Sequence, residues 1–278
     1  MHPYRTLALL LILALPGALI AQESGSLSGR KVIPHPYVRE ADVMWSKKVW
    51  QVIDLREKMN QTLYYPVNPM SDRKSLFDII KEGVLAPEGK GPGITAYSAA
   101  TNDFCEKLSR EDVRKIFVRT DTLDLPADPL KPDVTIPTAV NQELSSADVK
   151  QYWIQEQWFF DKQRSVLDVR IIGIMPVIEK KNEKDVVMGM AATFWVAFED
   201  LRPLLIQYQA FNRKNGAQLL TFDDLFLKRM FSCYIIKEDN MADRMIADYK
   251  GANTLDALLE AESIKNGILF KESDMWQH

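Results

Sequence analysis

Apolar residues recur along this chain at two different periods, and the changes of period divide it into elements. From Asp42 onward, Val43, Trp45, Val49, Trp50, Val52, Ile53 and Leu55 return with charged residues between them, a spacing that predicts a helix of about four turns. Ser75 and Asp78 form a capping-box pair around the start of the apolar Leu76, Phe77, Ile79 and Ile80, so a helix is expected there, with Gly83 placed to stop it. Ser109 and Asp112 repeat the device before Val113, Ile116 and Phe117. The helical signals then vanish. Pro126, Pro129, Pro132 and Pro137 crowd residues 120–140, which predicts an extended, semi-rigid connector. It either links two lobes, 41–119 and 141–278, or forms an arm lying on a neighbouring subunit; the linker is preferred.

Beyond it the alternation shortens. Tyr152, Ile154, Glu156, Trp158 and Phe160 oppose Trp153, Gln155, Gln157 and Phe159, and after polar residues 161–165 a second β-rich run spans 166–177. This predicts a hairpin. Residues 188–198 are apolar nearly throughout and are expected to form a central strand covered on both faces. Asp200 can cap a helix carrying Leu201, Leu204, Leu205 and Tyr208. Thr221 or Asp223 can cap another with Leu225, Phe226 and Met230 on one face, before a strand-like run from Cys233 to Ile236. A last helix starts near Thr254, with Leu255, Leu258 and Leu259 on one face and acidic residues on the other. The class expected is α+β: helices packed on a small antiparallel sheet, residues 41–278, behind a mobile N-terminal arm.

The first residues change this picture. Arg5, an apolar run over 7–15, a Pro16-Gly17 break and small residues up to Ala21 predict a signal peptide, 1–21, cleaved after Ala21. The run is shorter than the roughly 20 residues a membrane span needs, and no cysteine near it offers a lipid attachment site. A periplasmic protein without a membrane span is expected, its residues 22–40 a Gly, Ser and Pro-rich flexible arm. The net charge of -3 gives no general hold on nucleic acid, whose affinity comes mostly from neutralised phosphates. Cys105 and Cys233 allow one disulfide in an oxidising compartment; the alternative is two small buried apolar side chains.

Candidate chemistry is sparse. The three histidines, His2, His35 and His278, all lie outside the folded region, so a zinc or histidine-based centre is not expected. The Gly83 to Lys90 segment has five residues between its glycines where a phosphate loop has four, and Gly91 where Ser or Thr would meet magnesium. Glu156, Asp161 and Asp168 gather near one hairpin. Two such acids can perform acid-base hydrolysis, although charges on the wet face of an antiparallel sheet are the ordinary case. Asp121-Thr122-Leu123 fits a short acceptor pattern for bacterial O-glycosylation. Catalytic, cofactor-binding and metal residues are therefore set at none. Large rings occupy both faces of the hairpin, and a face turned from the core would be an assembly patch; Trp153, Trp158, Phe159 and Phe160 are the interface candidates.

The run Thr221-Phe222-Asp223-Asp224-Leu225-Phe226-Leu227-Lys228-Arg229, with Tyr234-Ile235-Ile236-Lys237-Glu238 and Asp243-Arg244 after it, resembles the gliding-motility protein N family, GldN/PorN, of the type IX secretion apparatus. Trp50-Gln51-Val52-Ile53-Asp54-Leu55-Arg56-Glu57-Lys58-Met59-Asn60, Tyr64-Tyr65-Pro66, Leu76-Phe77-Asp78-Ile79-Ile80 and Trp158-Phe159-Phe160-Asp161-Lys162 fall in the family's order. So do Val169-Arg170-Ile171-Ile172-Gly173-Ile174, Asp256-Ala257-Leu258-Leu259-Glu260-Ala261-Glu262 and Asp274-Met275-Trp276. Ala242 and Cys233 depart from its pattern. The resemblance implies a non-enzymatic periplasmic subunit that self-associates in a ring with an outer-membrane lipoprotein, GldK/PorK, and meets the shaft protein GldM/PorM. The alternative from another class is a periplasmic carbohydrate-binding module or glycosidase using the hairpin rings and carboxylates.

Overall fold

The structure, a computed structural model, describes residues 30–70, 73–86, 93–128, 131–181, 187–211, 219–251 and 254–275. The signal peptide expected at 1–21, the first half of the arm, residues 87–90 of the glycine-containing loop and Trp276 lie outside them. The chain opens with β1 (Val43–Asp54), a short α1 (Gln61–Tyr64), α2 (Leu76–Leu85), β2 (Ala96–Ser98) and α3 (Arg110–Phe117). A ribbon of β3 (Val118–Asp128) and β4 (Lys131–Glu143) precedes the long hairpin β5 (Val149–Asp161) and β6 (Val166–Lys181). Then come β7 (Val187–Ala192), β8 (Phe194–Ala197), α4 (Phe198–Leu205), the small pair β9 (Gln209–Ala210) and β10 (Leu220–Thr221), and α5 (Phe222–Leu227). The last elements are β11 (Tyr234–Glu238), α6 (Ile246–Lys250) and α7 (Thr254–Met275).

One antiparallel sheet organises these elements, in the order β11-β1-β5-β6-β8-β2, with β7 also paired to β6. The hairpin predicted over 152–177 is its centre, Tyr152 facing Pro176 and Phe160 facing Leu167. Helices cover one face. Ile53, Tyr152, Ile154, Ile174, Phe194 and Val196 meet Phe77, Ile80, Phe117, Leu201, Leu205 and Phe226 there. The same side continues into a smaller cluster in which α6 and α7 bring Ile246, Ala261 and Ile268 onto Val49 and Ile235. On the opposite face Trp50, Met175, Val177 and Trp195 are buried, with Phe104 and Trp153 packed against them. The α+β class is thus the one observed.

Five expectations change. The segment from Asp42 is a strand and not a helix: residues 43–48 alternate half-buried and exposed, and 49–54 are all buried because β1 lies between β11 and β5 with both faces covered. A fully covered strand loses its alternation, and a short apolar run of that kind mimics helical spacing. The single strand expected over 188–198 breaks at Thr193, whose N–H and hydroxyl both donate to the Pro176 carbonyl, at 3.2 and 2.7 Å. Its second half, β8, is buried; its first half, β7, is an exposed edge and not central. The helix α4 therefore starts at Phe198, and Asp200 sits in its first turn instead of capping it, a place where negative charge meets the helix's positive end.

The connector expected over 120–140 is a ribbon that returns to its origin, since Val118 pairs with Glu143. Gly83 does not end α2, which runs to Leu85; its missing side chain admits Ile94, whose Cδ1 would stand 2.3 Å from a Cβ there. The caps were legible: Ser75 and Thr221 close capping boxes with Asp78 and Asp224, and the Ser109 hydroxyl accepts from the Asp112 N–H at 3.2 Å. Cys105 is exposed, Cys233 half-buried, and both are free thiols.

Candidate functional site

Arg202 of α4 has no exposed side-chain surface, and a guanidinium out of water must be fully paired. Asp223, the first acid of the Thr-Phe-Asp-Asp run, takes its Nε at 2.9 Å, and Glu199 lies 3.4 Å from Nη1. Nη2 donates to the Ile33 carbonyl at 2.6 Å, so part of Arg202's pairing comes from the arm. Arg170 of β6 holds the Pro36 carbonyl at 2.5 Å, and His35 Nε2 lies 3.1 Å from Glu199. The described part of the arm, expected to be mobile, is tied to α4 and β6 through two backbone carbonyls. A pattern search cannot see this, because carbonyls carry no sequence signature.

A second polar group lies between the main core and the α7 cluster. Glu156 of β5 is fully buried. Arg229 grips it with two bonds, at 2.8 and 3.2 Å, while Gln51 Nε2 and the Trp158 indole N–H donate at 2.7 and 3.0 Å. The Cys233 thiol sits 2.6 Å from Gln51 Oε1; burial, with Glu156 nearby, pushes its pKa up to about 12. Beside these groups opens a cavity of about 540 Å³, lined among others by Trp158, Arg229, Phe231, Tyr234, Leu258 and Lys265. Both carboxylate oxygens of Glu156 are occupied by donors from the protein, so neither is open to a substrate.

Glu156 and Asp161 are therefore not on a wet face, as the alternation suggested: they are 0% and 3% exposed. Asp161 binds Arg164 Nε at 2.7 Å and the Gln163 N–H at 2.9 Å in the hairpin turn, and Asp168 takes the other end of Arg164 at 2.7 Å. Each of the three acids is thus committed to an arginine, and no open acid pair forms among them. Among the described residues no cluster of three or more His, Cys, Asp or Glu is arranged to hold a metal ion, and no helix is long and apolar enough to cross a membrane.

Of the four interface candidates, Phe159 and Phe160 are each 3% exposed, Phe159 lying under the Arg170 guanidinium at 4.9 Å. Trp158 packs in the α7 cluster and Trp153 beside Trp50 and Trp195. Phe159 and Phe160 thus belong to the interior of one chain, while Trp153 and Trp158 are half-buried. More exposed apolar surface lies on two other elements. On α7 the inward stripe is Ala257, Ala261, Ile264 and Ile268, so the expected apolar face is turned out: Leu255, Leu258 and Leu259 are 62%, 49% and 61% exposed, and Phe270 is 70% exposed. On β7, Val187, Met188 and Met190 are also exposed. The uncharged run 187–192 was the available signal for the second surface, and it reads equally well as a core strand.

Curated proteins offer no match to this sequence. A family model does: residues 38–277 match gliding motility associated protein GldN. The matched stretch begins inside the tied arm, takes in the Glu156 and Arg202 networks and ends beyond α7. The chain therefore belongs to the GldN family, components of gliding motility and type IX secretion.

Proposed function

We propose that this protein is a structural, non-enzymatic subunit of a periplasmic ring in the type IX secretion machinery of Bacteroidota. It would be built together with an outer-membrane lipoprotein of the GldK/PorK kind and engaged by a GldM/PorM-like shaft. Its work is mechanical, passing or anchoring force between an inner-membrane motor and the outer-membrane translocons. The observation that carries this reading is the pairing of a densely ion-paired interior with broad exposed apolar faces on α7 and β7. Surfaces of that kind mark protein contacts. The carboxylates that a glycosidase would need are bound to arginines, so nothing favours that alternative. The test is affinity purification from the periplasm under mild detergent, with identification of what co-purifies and measurement of particle size. Recovery of the lipoprotein in a large particle supports the proposal; a monomer that recovers neither lipoprotein nor shaft protein overturns it.

A further inference from the structure

Among the described residues, the strand β7 pairs with β6 on one side only. Its residues, Val187-Met188-Gly189-Met190-Ala191-Ala192, include no charge and no proline, and Val187, Met188 and Met190 are 52%, 67% and 47% exposed. Soluble proteins guard free strand edges with Lys, Pro, bulges or a covering element. Here the guard is one bulge at Met188, where the pairing steps from Lys180 opposite Gly189 to Lys181 opposite Val187; the regular edge beyond it, 189–192, is apolar and calls for a strand from elsewhere.

The β3–β4 ribbon has the complementary need. Among the described residues, its strands are otherwise held only at their root, where β3 continues directly from α3 and Glu143 of β4 takes the Lys81 ammonium of α2 at 2.9 Å. A two-stranded ribbon alone in water is marginal and gains stability from a third strand. Its register fixes which edge is open. Pro137 pairs with Asp124 and Pro126 with Thr135, two positions apart and so of one pairing class. A proline lacks the N–H that a hydrogen-bonded pair requires, which makes this the class whose N–H and C=O groups point outward. The outward edge of β4 is therefore interrupted at Pro137, in mid-strand. That of β3 runs unbroken through Thr120, Thr122 and Asp124 before Pro126 closes it, the Val118 N–H being taken by the Arg114 carbonyl at the end of α3. This free stretch of five residues, 120–124, is close in length to the four residues of β7, 189–192, that keep a regular register.

We infer that β3 of one copy pairs with the β7 edge of the next, joining subunits head to tail through strand addition. Two different surfaces meet in this contact, so each copy keeps one of each free, and the series closes into a ring when the rotation allows. The inference rests on the ring reading above and names the surfaces that build it.

The test uses the full mature chain and the complex isolated from cells. One variant replaces residues 119–142 by a short glycine turn; a second carries Met188→Lys and Met190→Lys, changes at exposed positions that leave the core untouched. Each alone should fall at least tenfold in ring yield by electron microscopy, with thermal unfolding of the isolated subunit unchanged for the lysine pair. Mixed together, the two variants should stop at two subunits in sedimentation, because only one edge and one ribbon remain usable. Thr122→Cys with Met190→Cys, in a Cys105→Ser background, should give crosslinks between chains with a short bis-maleimide. Rings of normal yield from both variants would overturn the strand-addition contact while the ring reading stands. Absence of rings from the unaltered protein would remove both.

Discussion

Glu156 and Arg229 form the pair on which the residue-scale argument turns. The carboxylate is wholly buried while the guanidinium keeps about a third of its surface, so the two deletions are not equivalent. Arg229→Leu strands a buried charge and should lower unfolding free energy by about 3 kcal/mol, the lower end for a broken buried pair. Glu156→Gln keeps partners for most donors and should cost less, about 1–2 kcal/mol. Urea unfolding of both variants checks the order, and a milder loss for Arg229→Leu than for Glu156→Gln would contradict it. The cysteines give a second residue-scale outcome. Cys105 is exposed, whereas the Cys233 thiol is held up at about 12, and only the thiolate reacts. A disulfide reagent at pH 8 should label one thiol in the native chain and the second only on unfolding. Acid behaviour follows from Asp54 and Asp161, held below the ordinary carboxylate range chiefly by hydrogen bonds from Arg56 and Arg164. A depressed carboxylate stabilises the fold above its unfolded pKa of about 3.9, and that stability is lost as pH falls further. Unfolding measured from pH 5 down to pH 2 should show the decline, and Arg164→Gln should flatten part of it.

At the scale of elements, close approach decides more than propensity. Gly173 of β6 lies beneath the Phe104 ring: a Cβ there would stand 2.2 Å from its Cζ and 3.0 Å from the Val196 carbonyl oxygen. The ring can move but the strand cannot. Gly173→Ala should cost on the order of 1–3 kcal/mol, and adding Phe104→Leu should recover part of it in a double-mutant cycle. The same contrast explains what the sequence discloses. Capping boxes at Ser75 and Thr221 are local, made within four residues, and they were legible along with the β5–β6 hairpin. The nature of β1, the exposure of β7 and the outward turn of Leu255 and Leu259 depend on which elements pack alongside, which no window of sequence contains. The Glu156 network was half visible. Its acid stood out, but its partner Arg229 lies 73 positions away and has no motif of its own beyond the family run. The arm contacts were invisible for a further reason, since Arg202 and Arg170 read main-chain oxygens.

For the whole molecule, the exposed face of α7 predicts a separation between stability and assembly. Leu255→Asp with Leu259→Asp alters side chains that are more than half exposed, so thermal unfolding of the subunit should stay within about 2 °C of the parent, since surface changes are usually within ±0.5 kcal/mol. Co-purification with the lipoprotein proposed as partner should drop sharply if that face is a contact; undiminished recovery would remove α7 from the proposed interface. The setting of β1 has a consequence of another kind. This strand follows the tied arm directly and is clamped between β5 and β11 over its second half. Antiparallel rungs lie perpendicular to their strands, so tension entering through the arm pulls β1 along its own axis and loads the rungs together in shear. They share the load instead of opening one after another, an arrangement that resists unzipping.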